Sequence, residues 1–86
     1  MSKFFTYIIQ SKLDKSFYIG FTQDLQKRLE FHNSGQSKFT SKKLPWELVY
    51  FEKFDNKTEA IRREKFLKAQ RNKEFYIKLI KNFKEP

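Results

Sequence analysis

With 86 residues and a formal net charge of +9, the chain is one small domain, residues 1–86, whose core is thin and whose field favours polyanions such as nucleic acid. The absence of cysteine excludes a disulfide framework and a thiolate-held zinc site, which leans toward a cytoplasmic setting, and no apolar run approaches the roughly 20 residues that span a bilayer. Eleven Phe, four Tyr and one Trp are then expected to supply the core.

In chain order, the short apolar run Phe4 to Ile9 contains Thr6 and ends at Gln10-Ser11-Lys12 without a small-residue cleavage pattern, so a secretory signal is not expected. Lys3 to Gln10 and Ser16 to Phe21 read as two strands joined by a polar loop, Ser11 to Lys15. Thr22 is placed to cap a helix with Asp24 in its first turn, and Asn33-Ser34-Gly35 to stop it. After a basic connection from Gln36 to Pro45, Trp46 to Phe54 predicts a third strand in which Trp46, Leu48 and Tyr50 alternate with Glu47, Val49 and Phe51. Asn56 with Glu59 approximates a capping box for a helix to about Ala69. Asn72 caps a last helix in which Phe75, Tyr76, Leu79, Ile80 and Phe83 recur at helical spacing. The prediction is an α+β domain: a three-stranded antiparallel sheet flanked by three helices, in the order β-β-α-β-α-α.

Several polar residues fall on faces that should be apolar. In the first helix, Arg28 and His32 share the stripe of Leu25 and Leu29, where an unpaired charge is costly unless the arginine snorkels to water. In the second, Glu64 falls between Ala60 and Leu67, either paired with an inward arginine such as Arg28 or holding a metal ion. Tyr7 and Tyr18 lie in the paired strands and are placed to meet on one face of the hairpin. An acid, a base and a cation gathered in this way form a site where perturbed protonation is expected.

From Phe4 to about Ile80 these residues resemble a GIY-YIG nuclease domain, of the kind found in small stand-alone bacterial proteins, in the repair excinuclease and in phage homing endonucleases. Tyr18-Ile19-Gly20 matches the second half of the name motif, and Tyr7 stands at its first tyrosine. Arg28, His32 and Glu64 match the helix arginine, the histidine one turn later and the metal-binding glutamate. The segments His32-Asn33-Ser34-Gly35, Lys43-Leu44-Pro45-Trp46 and Arg63-Glu64-Lys65 extend the match to the small members. Two departures stand out: the first half of the motif reads Phe5-Thr6-Tyr7, and Phe21 occupies a position where repair-type members can place a lysine.

The resemblance implies hydrolysis of DNA phosphodiester bonds with one divalent ion, Mg2+ or Mn2+, held by Glu64 alone among the carboxylates. It implies that Arg28 binds a nonbridging phosphate oxygen and that Tyr7, favoured slightly over Tyr18, takes the proton from water, with His32 accepting a proton or binding phosphate. Lys38, Lys42 and Lys43 are then expected to hold the duplex through phosphates, with little sequence specificity and no membrane partner. The competing readings are a noncatalytic nucleic-acid-binding module of the same fold, and an interaction or membrane-surface protein using the basic amphipathic stretch 73–84.

Overall fold

The computed structural model describes residues 3–83. Its elements are β1 (Phe4–Ser11), β2 (Phe17–Thr22), α1 (Leu25–Asn33), a single 3-10 turn (Ser41–Lys43), β3 (Trp46–Phe54), α2 (Lys57–Gln70) and α3 (Lys73–Lys81). The α+β class and the order β-β-α-β-α-α are as expected. Residues 1–2 and 84–86 lie outside the described residues, including the end of the 73–84 stretch.

The sheet is antiparallel in the order β2-β1-β3, so β1 is paired on both sides and carries the most buried stretch, Thr6 to Ile9. Ser11 closes the hairpin by donating its N–H to the Ser16 carbonyl at 2.9 Å, and it belongs to β1 rather than to the loop. One residue of β3 breaks the expected alternation. Ile8 pairs with Tyr50 but Ile9 pairs with Leu48, which leaves Val49 as a bulge. Because strand side chains alternate with period 2, one extra residue exchanges faces beyond it. Trp46 and Leu48 therefore pack with Tyr7 and Ile9, whereas Tyr50 packs with Ile8 on the opposite face.

Two cores result. Tyr7, Ile9 and Trp46 face α1, with Tyr18, Leu25 and Leu29 at their edge. Ile8, Ile19, Tyr50, Leu67 and Tyr76 form the other, under α2 and α3. Of the aromatics expected to supply the core, Trp46, Tyr7, Tyr50 and Tyr76 do so, but the eleven Phe do not, since none of them reaches full burial. In so small a domain most positions lie near a rim, and the interior sites go to aliphatic side chains and to tyrosines and the tryptophan, whose polar groups are hydrogen-bonded. The Phe rings line the margins, as in the edge-on contact of Phe5 with Phe51 at 5.9 Å.

The caps follow local chemistry. Asp24 rather than Thr22 caps α1, its carboxylate accepting from Lys27 N at 3.0 Å, while Thr22 completes β2 and its hydroxyl accepts from Asp24 N at 3.1 Å. Asn56 caps α2 through Glu59 N at 2.9 Å, and Asn72 caps α3 through Glu74 N at 2.9 Å. The helix α3 stops at Lys81, so Phe83 lies beyond it and packs against Tyr50 and Phe51. Phe75, Leu79 and Ile80 are packed against the core, which removes most of the apolar stripe that a membrane-surface reading requires. No helix among the described residues is long and apolar enough to cross a membrane.

Candidate active site

The site begins with hairpin register. Tyr7 pairs with Gly20 and Ile9 with Tyr18, so both tyrosines project from the same face, two residues apart along the diagonal. The Tyr7 ring lies over Gly20. A Cβ at that glycine would stand 2.6 Å from the Tyr7 Oη and 2.8 Å from its Cζ, so the glycine is required for space rather than for a turn.

The helix α1 brings His32 down onto this pair. At about 100° per residue, His32 lies roughly 20° from Leu25 on the helix wheel and Arg28 roughly 60° away. His32 is accordingly 2% exposed, while Arg28 sits at the edge and is exposed. The His32 Nε2 is 2.9 Å from the Tyr7 Oη, and its Nδ1 is 3.0 Å from the Thr40 Oγ1. Each ring nitrogen thus faces a hydroxyl, which can donate or accept, so either neutral tautomer is satisfied. Thr40 is itself buried, and its carbonyl accepts from the Trp46 Nε1 at 2.9 Å. Asn33 fixes the same tryptophan from the end of α1, accepting from Trp46 N at 2.6 Å and donating to Trp46 O at 2.9 Å. The Tyr18 ring packs 4.9 Å from the His32 ring and is only half-buried.

Burial sets the protonation of this cluster. It pushes the Tyr7 hydroxyl well above the ordinary tyrosine value, with the neighbouring Tyr18 and the charge of Glu64 acting in the same direction and Arg28 opposing them. Burial, then the positive charge of Arg28, holds His32 below its ordinary value. Both groups are neutral at pH 7. Arg28 lies along an open groove of about 490 Å³ formed with Thr22, Gln23, Asp24, Lys27 and Phe31, its guanidinium 5.7 Å from the Phe31 ring. Glu64 does not pair with Arg28. Its carboxylate, 15% exposed, meets Lys68 one turn along α2 at 3.0 Å.

A family model described as the GIY-YIG catalytic domain matches residues 3–78. This chain belongs to the GIY-YIG family. Among its relatives, the UPF0213 protein YsiG of Lactococcus lactis is 43% identical over 95% of this chain and 79% of that protein. The UPF0213 protein YazA of Bacillus subtilis is 40% identical over 94% of this chain and 84% of its own length. The solution NMR structure of the UPF0213 protein BH0048 from Bacillus halodurans superimposes with a TM-score of 0.57 at 32% identity, covering 92% of this chain and 83% of that one.

Within this GIY-YIG domain, Tyr7, Tyr18 and His32 are in contact, and the charges of Arg28 and Glu64 both bear on Tyr7. No group of three or more His, Cys, Asp or Glu side chains gathers among the described residues to cage a metal ion. Glu64, a single hard oxygen donor, fits a cation that completes its shell with water and phosphate. Of the three candidate lysines, Lys38 and Lys42 are exposed, whereas Lys43 is tied to the hairpin loop through Asp14 at 3.2 Å and the Ser16 hydroxyl at 3.3 Å. Sequence reasoning missed Thr40. A threonine in a basic connection gives no periodic signal, and only the fold shows that its hydroxyl ends on His32.

Proposed function

We propose that this protein is a divalent-metal-dependent endonuclease that hydrolyses phosphodiester bonds in DNA, with Tyr7, Tyr18, Arg28, His32 and Glu64 as its working residues. The observation that carries the reading is the buried chain Thr40, His32, Tyr7, reached at its margin by half-exposed Tyr18. Tyr7 has an outlet for a proton and Tyr18 has access to solvent. Buried as it is, Tyr7 is unsuited to exist as a free tyrosinate. It serves instead as a relay: it takes a proton from the attacking water while passing its own to the His32 Nε2, which is neutral at pH 7 and has a lone pair available when its proton is on Nδ1. The water oxygen bonds to phosphorus, the bridging P–O bond breaks, and the leaving oxygen takes a proton from solvent. Tyr18 orients the water or a phosphate oxygen.

Arg28, permanently charged and exposed beside its groove, suits the nonbridging oxygens as they gain charge. Glu64 would hold magnesium or manganese, which would supply further stabilisation of negative charge on phosphate. Lys38 and Lys42 contact the backbone without reading bases, so sequence specificity is low. A cytoplasmic setting belongs to the same reading.

The test is relaxation of supercoiled plasmid with Mg2+ or Mn2+. Wild type nicks, and Glu64→Gln and Arg28→Ala, both at positions outside the buried cores, fold normally and do not. Equal nicking by all three proteins points to a contaminant and overturns the proposal. Tight binding without cleavage across intact, nicked and branched DNA favours the noncatalytic module instead.

A further inference from the structure

Among the described residues Phe39 is the most exposed large apolar side chain, at 81%, yet Thr40 beside it is completely buried. Single exposed apolar residues are common and need no explanation by themselves. Phe39 differs in that its backbone is held. Ser41 N–H donates to the Ser37 carbonyl at 2.9 Å and Lys43 N–H to the Thr40 carbonyl at 3.2 Å, closing the backbone around it. The next residue, Thr40, is bonded to His32 through its hydroxyl and to Trp46 through its carbonyl. The ring is therefore presented to solvent from a backbone pinned directly to the candidate active site, so little backbone ordering entropy is lost when something stacks on it.

The surroundings select the occupant. No Asp or Glu occurs between Glu30 and Glu47, and Lys38 and Lys42, one residue before and three after Phe39 in the chain, are both exposed. A protein pocket or a lipid surface would be met by a contiguous apolar patch, whereas one aromatic among lysines and serines matches a nucleobase on a phosphate backbone. Bases inside an intact duplex have both faces covered. We propose that Phe39 is a stacking platform for an unstacked base, so that the protein prefers DNA interrupted by a nick, a branch or a single-stranded segment. This deepens the proposed function, from which it takes only DNA as the partner.

Fluorescence anisotropy in EDTA tests it without cleavage, using dye-labelled intact duplex, nicked duplex, three-way junction and single strand at one salt concentration. Wild type is expected to bind the three interrupted forms about tenfold more tightly than intact duplex, a stacking-sized effect. Phe39→Ala erases that preference and leaves intact-duplex affinity unchanged; Phe39→Trp restores it; Lys38→Gln weakens all forms alike. Absence of DNA binding, a preference untouched by Phe39→Ala, or a uniform loss across all four DNAs overturns the inference, as does Phe39-dependent binding to anionic vesicles in place of DNA. Because no metal is present, the preference can survive where plasmid nicking fails, and nicking can survive where the preference fails.

Discussion

The cores on the two sides of the sheet each hold two tyrosines, and they use them differently. Under α2 and α3, Tyr76 donates to the Leu67 carbonyl at 2.6 Å, and Tyr50 donates to the Glu52 carboxylate, which Arg63 holds at 2.9 Å. Burial, then Glu52, pushes Tyr50 up to about 12. Both hydroxyls end on acceptors committed to structure. Under α1, Tyr7 ends on His32, a group that can give or take a proton, and Tyr18 packs against the same ring with part of its surface in solvent. Burial of a tyrosine therefore does not distinguish packing from chemistry; the character of its hydrogen-bond partner does.

The contrast is broken most severely from the packed side. Leu67→Ala empties a fully buried position on the inner face of α2 and is expected to cost about 2–5 kcal/mol, measured by urea denaturation. The midpoint falls, yet protein that remains folded nicks at the wild-type rate per folded molecule. Gly20→Ala attacks the other face. Its methyl meets the Tyr7 hydroxyl within 2.6 Å, so the ring must move, at a cost of about 1–3 kcal/mol and with loss of nicking even in the folded fraction. Full activity in Gly20→Ala would show that the position of Tyr7 is not part of the chemistry.

The packed side was also the more legible in sequence. Leu67 and Tyr76 announce themselves by helical period, and Asn56 and Asn72 by capping chemistry, because these are local rules repeated over many residues. Even there the bulge at Val49 sent Tyr50 to the opposite face, since nothing in Trp46 to Phe54 marks which residue will go unpaired. On the α1 side, helix phase found His32 but set Arg28 too far inward, and the pairing offered for Glu64 with Arg28 went to Lys68 on its own helix. Thr40 and the steric role of Gly20 depend on contacts across the fold, which no local pattern encodes.

Within the α1 face, the outlet and the access point are separable. Tyr7→Phe removes the hydroxyl partner of a buried histidine nitrogen and should lower stability by about 1 kcal/mol. Tyr18→Phe, at a half-exposed position, should change stability by less than about 0.5 kcal/mol. Both are expected to abolish nicking. If Tyr18→Phe cuts normally while Tyr7→Phe does not, water reaches Tyr7 without help from Tyr18, and the division of labour between them is wrong.

The smallest effect is the most specific, because His32 is the single histidine of the chain. Its proton affinity in the folded protein lies below the ordinary value of about 6.5, through burial and then Arg28, while Tyr7, held neutral by burial, and the uncharged Phe31 and Thr40 beside it add no negative charge at neutral pH. Below about 6.5 the unfolded chain therefore binds a proton that the folded chain refuses. Folding stability contributed by the neutral ring is complete above that pH and is lost as pH falls toward the folded value. Asp14 and Asp55, held low by Ser16 and by Lys3, lose their contribution only in more acidic solution. Between about pH 7.5 and about pH 5.5 the melting temperature of wild type should drop by a few degrees more than that of His32→Gln, whatever the offset between the two proteins at the upper pH. Parallel slopes would mean that the folded protein accepts a proton at His32 as readily as the unfolded one, and the neutral relay between Thr40 and Tyr7 would lose its physical basis.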